Sequence, residues 1–539
     1  MGSNDTTVPT LLTGGRVYSA AAPDATAMAV SGGIVVWVGQ DGPGRALHPD
    51  AVEQPLDGAF VTPGFVDAHV HATSTGLHLA GVDLTGVRDG PALLFALREA
   101  AGRLPGGTVL IAHGWDESAW SDARVPSRQQ LDAAVGSRPA YVSRIDVHSA
   151  LVSSALVDLA PQARGVDGWS PDGPVVAAAH HVLRSAARAA ITPAQRAEAQ
   201  RRFLAEAAAQ GVVSVHECAG PQISGWDDLA ALLDAAGPET PEIVGYWGEL
   251  ATDAVLDEAK RLGVRGLAGD LFVDGALGSH TARLREPYAD EPEHSGRQYL
   301  QPDEIAAHVV ACSEAGMQAG FHVIGDAALA AVVEGFVRAE AAVGLRAVVA
   351  GRHRLEHVEM VGRAEAEALA RWNVTASVQP MFDGLWGGPD GMYVQRLGPE
   401  RAAAMNPFGM LAATGVLLAA GSDSPVTPLS PWAAVRAAVR HRTPGAGVSP
   451  RAAFTAHTKA GHRAAGVNDG VSGTLVPGAP AHYAVWDAGD LVVAAPDARV
   501  QRWSTDPRSR VPGLPSLEPD ASLPACLRTV RSGITIYPA

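Results

Sequence analysis

The sequence is poor in lysine, cysteine and long apolar runs. Of its 41 basic residues only Lys260 and Lys459 are lysines, so chemistry that needs a side-chain amine has two candidates at most. The three cysteines, Cys218, Cys312 and Cys526, are scattered and form no CxxC pair. That excludes a disulfide framework and suits a reducing compartment. No apolar stretch reaches the length of a membrane span, and the first residues lack the basic start and apolar block of a secretion signal. A cytoplasmic location is therefore expected, with no membrane as partner. Positive charge is also short: 57 acidic residues leave a net charge of −16, which argues against nucleic acid. A small-molecule substrate is the expected partner, and a homodimer is left open.

What is present is a long, soluble, globular chain, 47% hydrophobic and 18% charged over 539 residues, enough for more than one domain. Short glycine-punctuated strand candidates open it (LLTGGRVYSA, AMAVSGGIVVWVG) and similar ones close it (HYAVWDAGDLVVA, CLRTVRSGITIY). They predict one small β-sandwich domain from both termini, residues 1–60 plus 473–539. Between them lie eight apolar strand candidates: 63–71, 211–219, 241–249, 269–278, 317–326, 352–360, 373–381 and 415–425. Alanine-rich helical stretches separate many of them. Eight such units read as an α/β fold, a (β/α)8 TIM-like barrel over 61–74 plus 196–472, with its active site at the C-terminal strand ends. Residues 75–195 are too many for one crossover and read as an inserted α/β subdomain over the barrel mouth.

The stretch PGFVDAHVHAT, residues 63–73, ends an apolar run with two histidines. Side chains of an extended strand alternate, so Asp67, His69 and His71 share a face, with the imidazoles about 7 Å apart along the strand. Further polar residues fall near the other predicted strand ends. They are His216 and Glu217 on strand two, Asp270 and Asp274 on strand four, His322 on five, His357 on six and Asp423 on eight. Any one of them could merely cap a loop. A barrel, however, converges these ends on one mouth, and four histidines with an aspartate make a nitrogen and oxygen donor set suited to zinc or a similar divalent ion.

The HVH after PGFVDA, the histidines in GFHVIGDAA and RLEHVE, and the aspartate in GSDSPV resemble the amidohydrolase superfamily. HGWDESAW, IDVHSALVSSALVDLA, GVVSVHE, DGALGSHTARLREPY and GTLVPGAPAHYAVWD are similar to one branch, the N-substituted formamide deformylases. The resemblance implies that His69, His71, His322, His357 and Asp423 hold a metal, with Asp423 and His357 also catalytic. It further implies hydrolysis of a C–N bond, with non-hydrolytic chemistry on the same scaffold as the alternative. Trp115, Asp116, Glu117 and Trp120 in HGWDESAW, and His148, resemble pocket motifs. Trp115, His148, Asp274, His280 and Arg283 are the candidate substrate contacts, with Tyr288 close by in sequence. The glycine-rich GLWGGPDGMY, residues 384–393, reads as a mobile lid.

One position departs from that resemblance. Many superfamily members carry a carboxylated lysine on strand four, in a stretch resembling K-x-F-x-D-G, which bridges two metals. Here the stretch is DLFVDG, with Asp270 at the lysine's place. With two lysines, both in predicted helical regions, no carboxylated lysine is available. In an extended strand Asp270 ends several bonds short of a lysine carbamate, and Asp274 lies about 13 Å nearer the mouth. A single ion is therefore expected rather than two, with Asp270 a possible ligand.

Overall fold

The computed structural model describes residues 8–538 apart from 118–119, 121, 123, 146–148, 222, 495–502 and 505–511. The chain divides into two compact units, residues 1–71 with 204–539, and residues 72–203.

The larger unit is built on eight parallel strands in sequential order. They are β1 (Phe65–Val70), β2 (Val212–Ala219), β3 (Glu242–Trp247), β4 (Gly266–Leu267), β5 (Gln318–Val323), β6 (Arg354–His357), β7 (Thr375–Val378) and β8 (Leu417–Ala420). The sheet is nearly closed. Past the end of β8, the Asp423 amide donates to the His69 carbonyl at 2.8 Å and the His71 amide donates to the Ser424 carbonyl at 3.0 Å. Strands β1, β2, β5, β6 and β7 are buried along their whole length, as a parallel sheet covered by helices requires. Their outward residues, among them Phe321 and Leu355, pack with Val309, Val332, Phe336 and Leu369 of the surrounding helices. Helix ends carry local signals. Gln301 and Glu304 form a capping box before Pro302–Ala315, which ends on left-handed Gly316, and both devices satisfy otherwise orphaned backbone groups.

The same unit contains a β-sandwich from both termini. A five-stranded sheet joins Arg16–Val17 and Phe60–Pro63 to Tyr483–Asp487, Ala525–Arg531 and Ile534–Tyr537, and a four-stranded sheet holds Thr10–Thr13, Ala27–Ser31, Ile34–Gly39 and Val52–Pro55. Leu12, Met28 and Val30 of one meet Val61, Val485 and Val530 of the other in a shared core. The smaller unit is α/β, with a five-stranded sheet whose central strands are Leu110–Trp115, Ala140–Arg144 and Ser149–Val152.

The fourth strand corrects the sequence reading. It was expected over 269–278 but covers Gly266–Leu267. The extended run breaks at Gly269, whose φ is +81°, and the Leu271 amide turns back to the Gly269 carbonyl at 2.9 Å. Pairing then resumes beside β5, where Phe272 bridges His322. Such a bulge re-aims the side chains that follow it. The stretch read as a lid, residues 384–393, spans the junction of two short helices. Residues 380–386 and 392–397 are helical, Tyr393 is fully buried, and its hydroxyl donates to Glu359 at 2.5 Å.

Candidate metal centre

The C-terminal ends of β1, β5, β6 and β8 and the bulge after β4 bring six side chains together. His69 and His71 leave the same face of β1, as alternation demands. His322 is the fifth residue of β5. His357 ends β6 and Asp423 follows β8, both in left-handed backbone (φ +70° and +55°), as is Val358 (φ +51°). Three such residues at one rim are a strain that a fold keeps where it serves a site.

The Asp423 carboxylate lies 3.1 Å from His71 Nε2 and 3.6 Å from His69 Nε2. Asp270 Oδ1 lies 3.6 Å from both His69 Nε2 and His322 Nδ1, and its Oδ2 lies 3.3 Å from His71 Nε2. His357 Nε2 is 2.9 Å from His322 Nδ1. All six residues are buried.

The outer partners of the rings decide where their protons sit, because an oxygen without hydrogen can only accept. His69 Nδ1–H donates to Glu356 Oε2 at 2.9 Å, His322 Nε2–H to the Gly275 carbonyl at 3.3 Å, and His357 Nδ1–H to Gln379 Oε1 at 2.7 Å. In its neutral form each ring then turns a bare nitrogen inward. His322 Nδ1 and His357 Nε2 point lone pairs at each other across 2.9 Å, which is repulsive unless a cation lies between or beside them. His69 Nε2, Asp270 Oδ1 and Asp423 Oδ1 are buried without a hydrogen-bond partner. Burying unpaired acceptors is costly, and a shared cation removes the cost. The donor set thus fits a divalent ion. Ligand atoms about 2.0–2.2 Å from a tetrahedral ion stand about 3.3–3.6 Å apart, close to the separations among His69, His71, Asp270 and Asp423.

Beneath this cluster lies a layer of which the sequence reading had only His216. Arg354, wholly buried, donates to Glu356 through Nε (2.6 Å) and Nη2 (2.9 Å), to the Ala68 carbonyl (2.7 Å) and to Ser377 Oγ (3.0 Å). Its Nη1 donates to His216 Nδ1 at 3.1 Å, and its guanidinium lies 4.3 Å from the centre of the Tyr246 ring. Burial alone would raise the Glu356 carboxyl, but Arg354 and His69 bring it well below the usual carboxylate range. His216 is held neutral by burial and by Arg354. The available signal was RLEH itself, two opposite charges at alternate positions of a strand candidate.

None of the described candidates for substrate contact belongs to this six-residue cluster. Asp274 accepts the backbone amides of Arg283, Ile324 and Gly325 at 2.8–3.0 Å, which ties the loop after β4 to the end of β5. Arg283 donates to the Ser295 carbonyl at 3.2 Å. His280 pairs with Asp290 at 3.1 Å and lies edge-on to Tyr288. In the smaller unit Trp115 is buried and donates to the Val142 carbonyl, Trp120 donates to the Val87 carbonyl, and Arg144 pairs with Asp116 and Glu117. His148 lies outside the described residues. Phe382 stacks on His357 with ring centres 5.8 Å apart, and the Trp386 ring lies tilted 4.6 Å from it.

A barrel with this donor set at its mouth defines a metal-dependent hydrolase. The chain belongs to the amidohydrolase family, whose model matches residues 54–537. It is 28% identical over 468 residues to Protein LONG AFTER FAR-RED 3 of Arabidopsis thaliana, covering 80% of this chain and 78% of that one. It is 24% identical over 481 residues to the N-substituted formamide deformylase of Arthrobacter pascens, covering 80% and 83%. Among solved structures, a metal-dependent hydrolase from Pyrococcus furiosus superposes with a TM-score of 0.73 at 26% identity, covering 89% of this chain and 99% of that one. Among the described residues no helix is long and apolar enough to cross a membrane.

Proposed function

We propose that this chain hydrolyses a C–N bond of a small molecule, an amide, formamide or cyclic amide, with a divalent ion as cofactor. The observation that carries the reading is the convergence of buried, unpartnered acceptors: His69 Nε2, Asp270 Oδ1 and Asp423 Oδ1. The imidazole and carboxylate donors favour zinc, and the similarity to a formamide deformylase supports a C–N substrate. The three free cysteines are in keeping with a cytoplasmic setting.

His69, His71, His322, His357, Asp423 and Asp270 would supply the metal's ligands. A bound ion supplies acidification of water and polarisation of the scissile carbonyl. Asp423 is the general base: it takes the proton of the attacking water and delivers it to the leaving nitrogen. His357 serves as a ligand rather than as a donor to the developing oxyanion, because its one N–H is committed to Gln379. For substrate contacts we favour Arg283 and His280, which are half-buried, over Trp115 and Asp274, whose polar atoms are already spent within the fold.

The test is metal analysis of the purified protein together with turnover of a panel of formamides and cyclic amides in heavy-oxygen water. The reading expects bound divalent ion, loss of activity on chelation with recovery on zinc, and solvent oxygen in the product. Full activity after exhaustive chelation, or product free of solvent oxygen, would overturn it.

A further inference from the structure

The aspartate at the lysine position gives this chain a centre of its own. We propose that Asp270 is a bridging carboxylate, so that two ions share one unmodified aspartate and no carboxylated lysine is needed. The proposal rests on the hydrolase reading above and deepens it to the number of ions and the group that joins them.

Three observations carry it. The first is reach. Asp270 places one oxygen 3.6 Å from both His69 Nε2 and His322 Nδ1, and the other 3.3 Å from His71 Nε2. It thus touches both histidines of β1 and the histidine of β5. The second is the number of donors. Four inward imidazole nitrogens and two carboxylates exceed the four ligands of a tetrahedral ion. His69, His71 and Asp423 form one close group, and His69, Asp270 and His357 another. The bare nitrogens of His322 and His357, 2.9 Å apart, fit adjacent ligands of one ion at bond lengths of about 2.1 Å. That second ion would lie where His71 and Asp423 are not the nearest donors, and Asp270 is the carboxylate common to both places.

The third observation explains how a short side chain does the work of a long one. The backbone moves instead. The chain kinks at Gly269, and the Asp270 backbone settles against Gly248, just past β3. A Cβ at Gly248 would stand 2.6 Å from the Asp270 carbonyl carbon and 2.7 Å from its oxygen, and a Cβ at Gly269 would stand 2.9 Å from Cys218 Cβ. Both positions therefore have to be glycine for Asp270 to sit this deep. The single-ion expectation came from an uninterrupted strand, and the bulge removes its premise. Neither lysine is a rival, since Lys260 is exposed on the helix Asp253–Leu262 and the Lys459 ammonium donates to the Gly470 carbonyl.

The experiment is titration of demetallated wild-type protein with Mn(II), read by metal analysis and by electron paramagnetic resonance. Two equivalents are expected, with spin coupling between them, and no carbamate signal after incubation with 13C-bicarbonate. D270N should bind its second equivalent at least tenfold more weakly and lose the coupling. G248A, which alters no ligand, should weaken the second equivalent in the same direction. Saturation of the wild type at one ion, two ions without coupling, or a D270N protein indistinguishable from wild type would each overturn the proposal. The wild-type titration decides even if both variants misfold. A single ion with hydrolysis intact refutes the bridge alone, whereas no ion at all refutes the hydrolase reading as well.

Discussion

The barrel interior carries two buried polar layers that differ in how they are satisfied. In the lower one the Arg354 guanidinium meets Glu356, Ala68, Ser377 and His216, and of these side chains' polar atoms the His216 Nε2 alone is left without a hydrogen-bond partner. In the upper one the inward atoms of His69, Asp270 and Asp423 have no hydrogen-bond partner. Both cost desolvation, so the difference is informative: a closed network fixes positions, and an open one keeps valences for something else. The two layers meet at His69, whose Nδ1–H is tied below to Glu356 and whose Nε2 is bare above.

The largest effects should come from the open layer. D423N keeps shape and removes the base, and kcat should fall by roughly 10²–10⁴-fold with an unchanged circular dichroism spectrum. Near-normal turnover would erase the distinction between the layers. In the closed layer R354M strands the Glu356 carboxylate and should cost about 3–5 kcal/mol of unfolding free energy, read by denaturant titration. The double variant R354M/E356L should regain most of that stability, because an apolar pair can replace a buried ion pair. It should nonetheless bind metal about 10–100-fold more weakly, since His69 then lacks the acceptor that sets its tautomer. A double variant with wild-type metal affinity would mean that the lower layer is only packing. E356Q, which leaves the buried Arg354 cation without its counter-charge, should cost stability much as R354M does, together with a clear loss of metal affinity.

Much of this was legible in the sequence, for physical reasons that differ by residue. His69 and His71 could be read because alternation is a property of any strand, and the eight apolar runs because a covered parallel sheet needs them. Arg354 and Glu356 obey the same alternation, yet a charged pair inside a barrel wall has no local signature beyond its spacing. His357 should by alternation face away from Glu356. It joins the site through left-handed backbone at residues 357 and 358, which no residue type there announces. Asp270 was visible as an oddity, but its reach depends on a bulge at Gly269 and on space left by Gly248, and that space is a tertiary fact.

Glu359 sharpens the comparison as an intermediate case: a buried carboxyl with a single side-chain donor, the Tyr393 hydroxyl at 2.5 Å. Burial pushes this carboxyl up to about 7, against the lowering effect of Tyr393. A raised value means that the folded protein holds this proton more tightly than the unfolded chain does. Between the ordinary glutamate range and pH 7 the folded state then binds more protons, and this group's contribution to stability falls as pH rises. E359Q, neutral throughout, should therefore flatten the decline in unfolding free energy across that window. Y393F should lower stability by about 1–3 kcal/mol, the cost of a buried acceptor left without its donor, while leaving metal content unchanged. If Y393F instead lost metal, Glu359 would belong with the open layer, and the boundary between holding a shape and holding an ion would have to be drawn one residue further out.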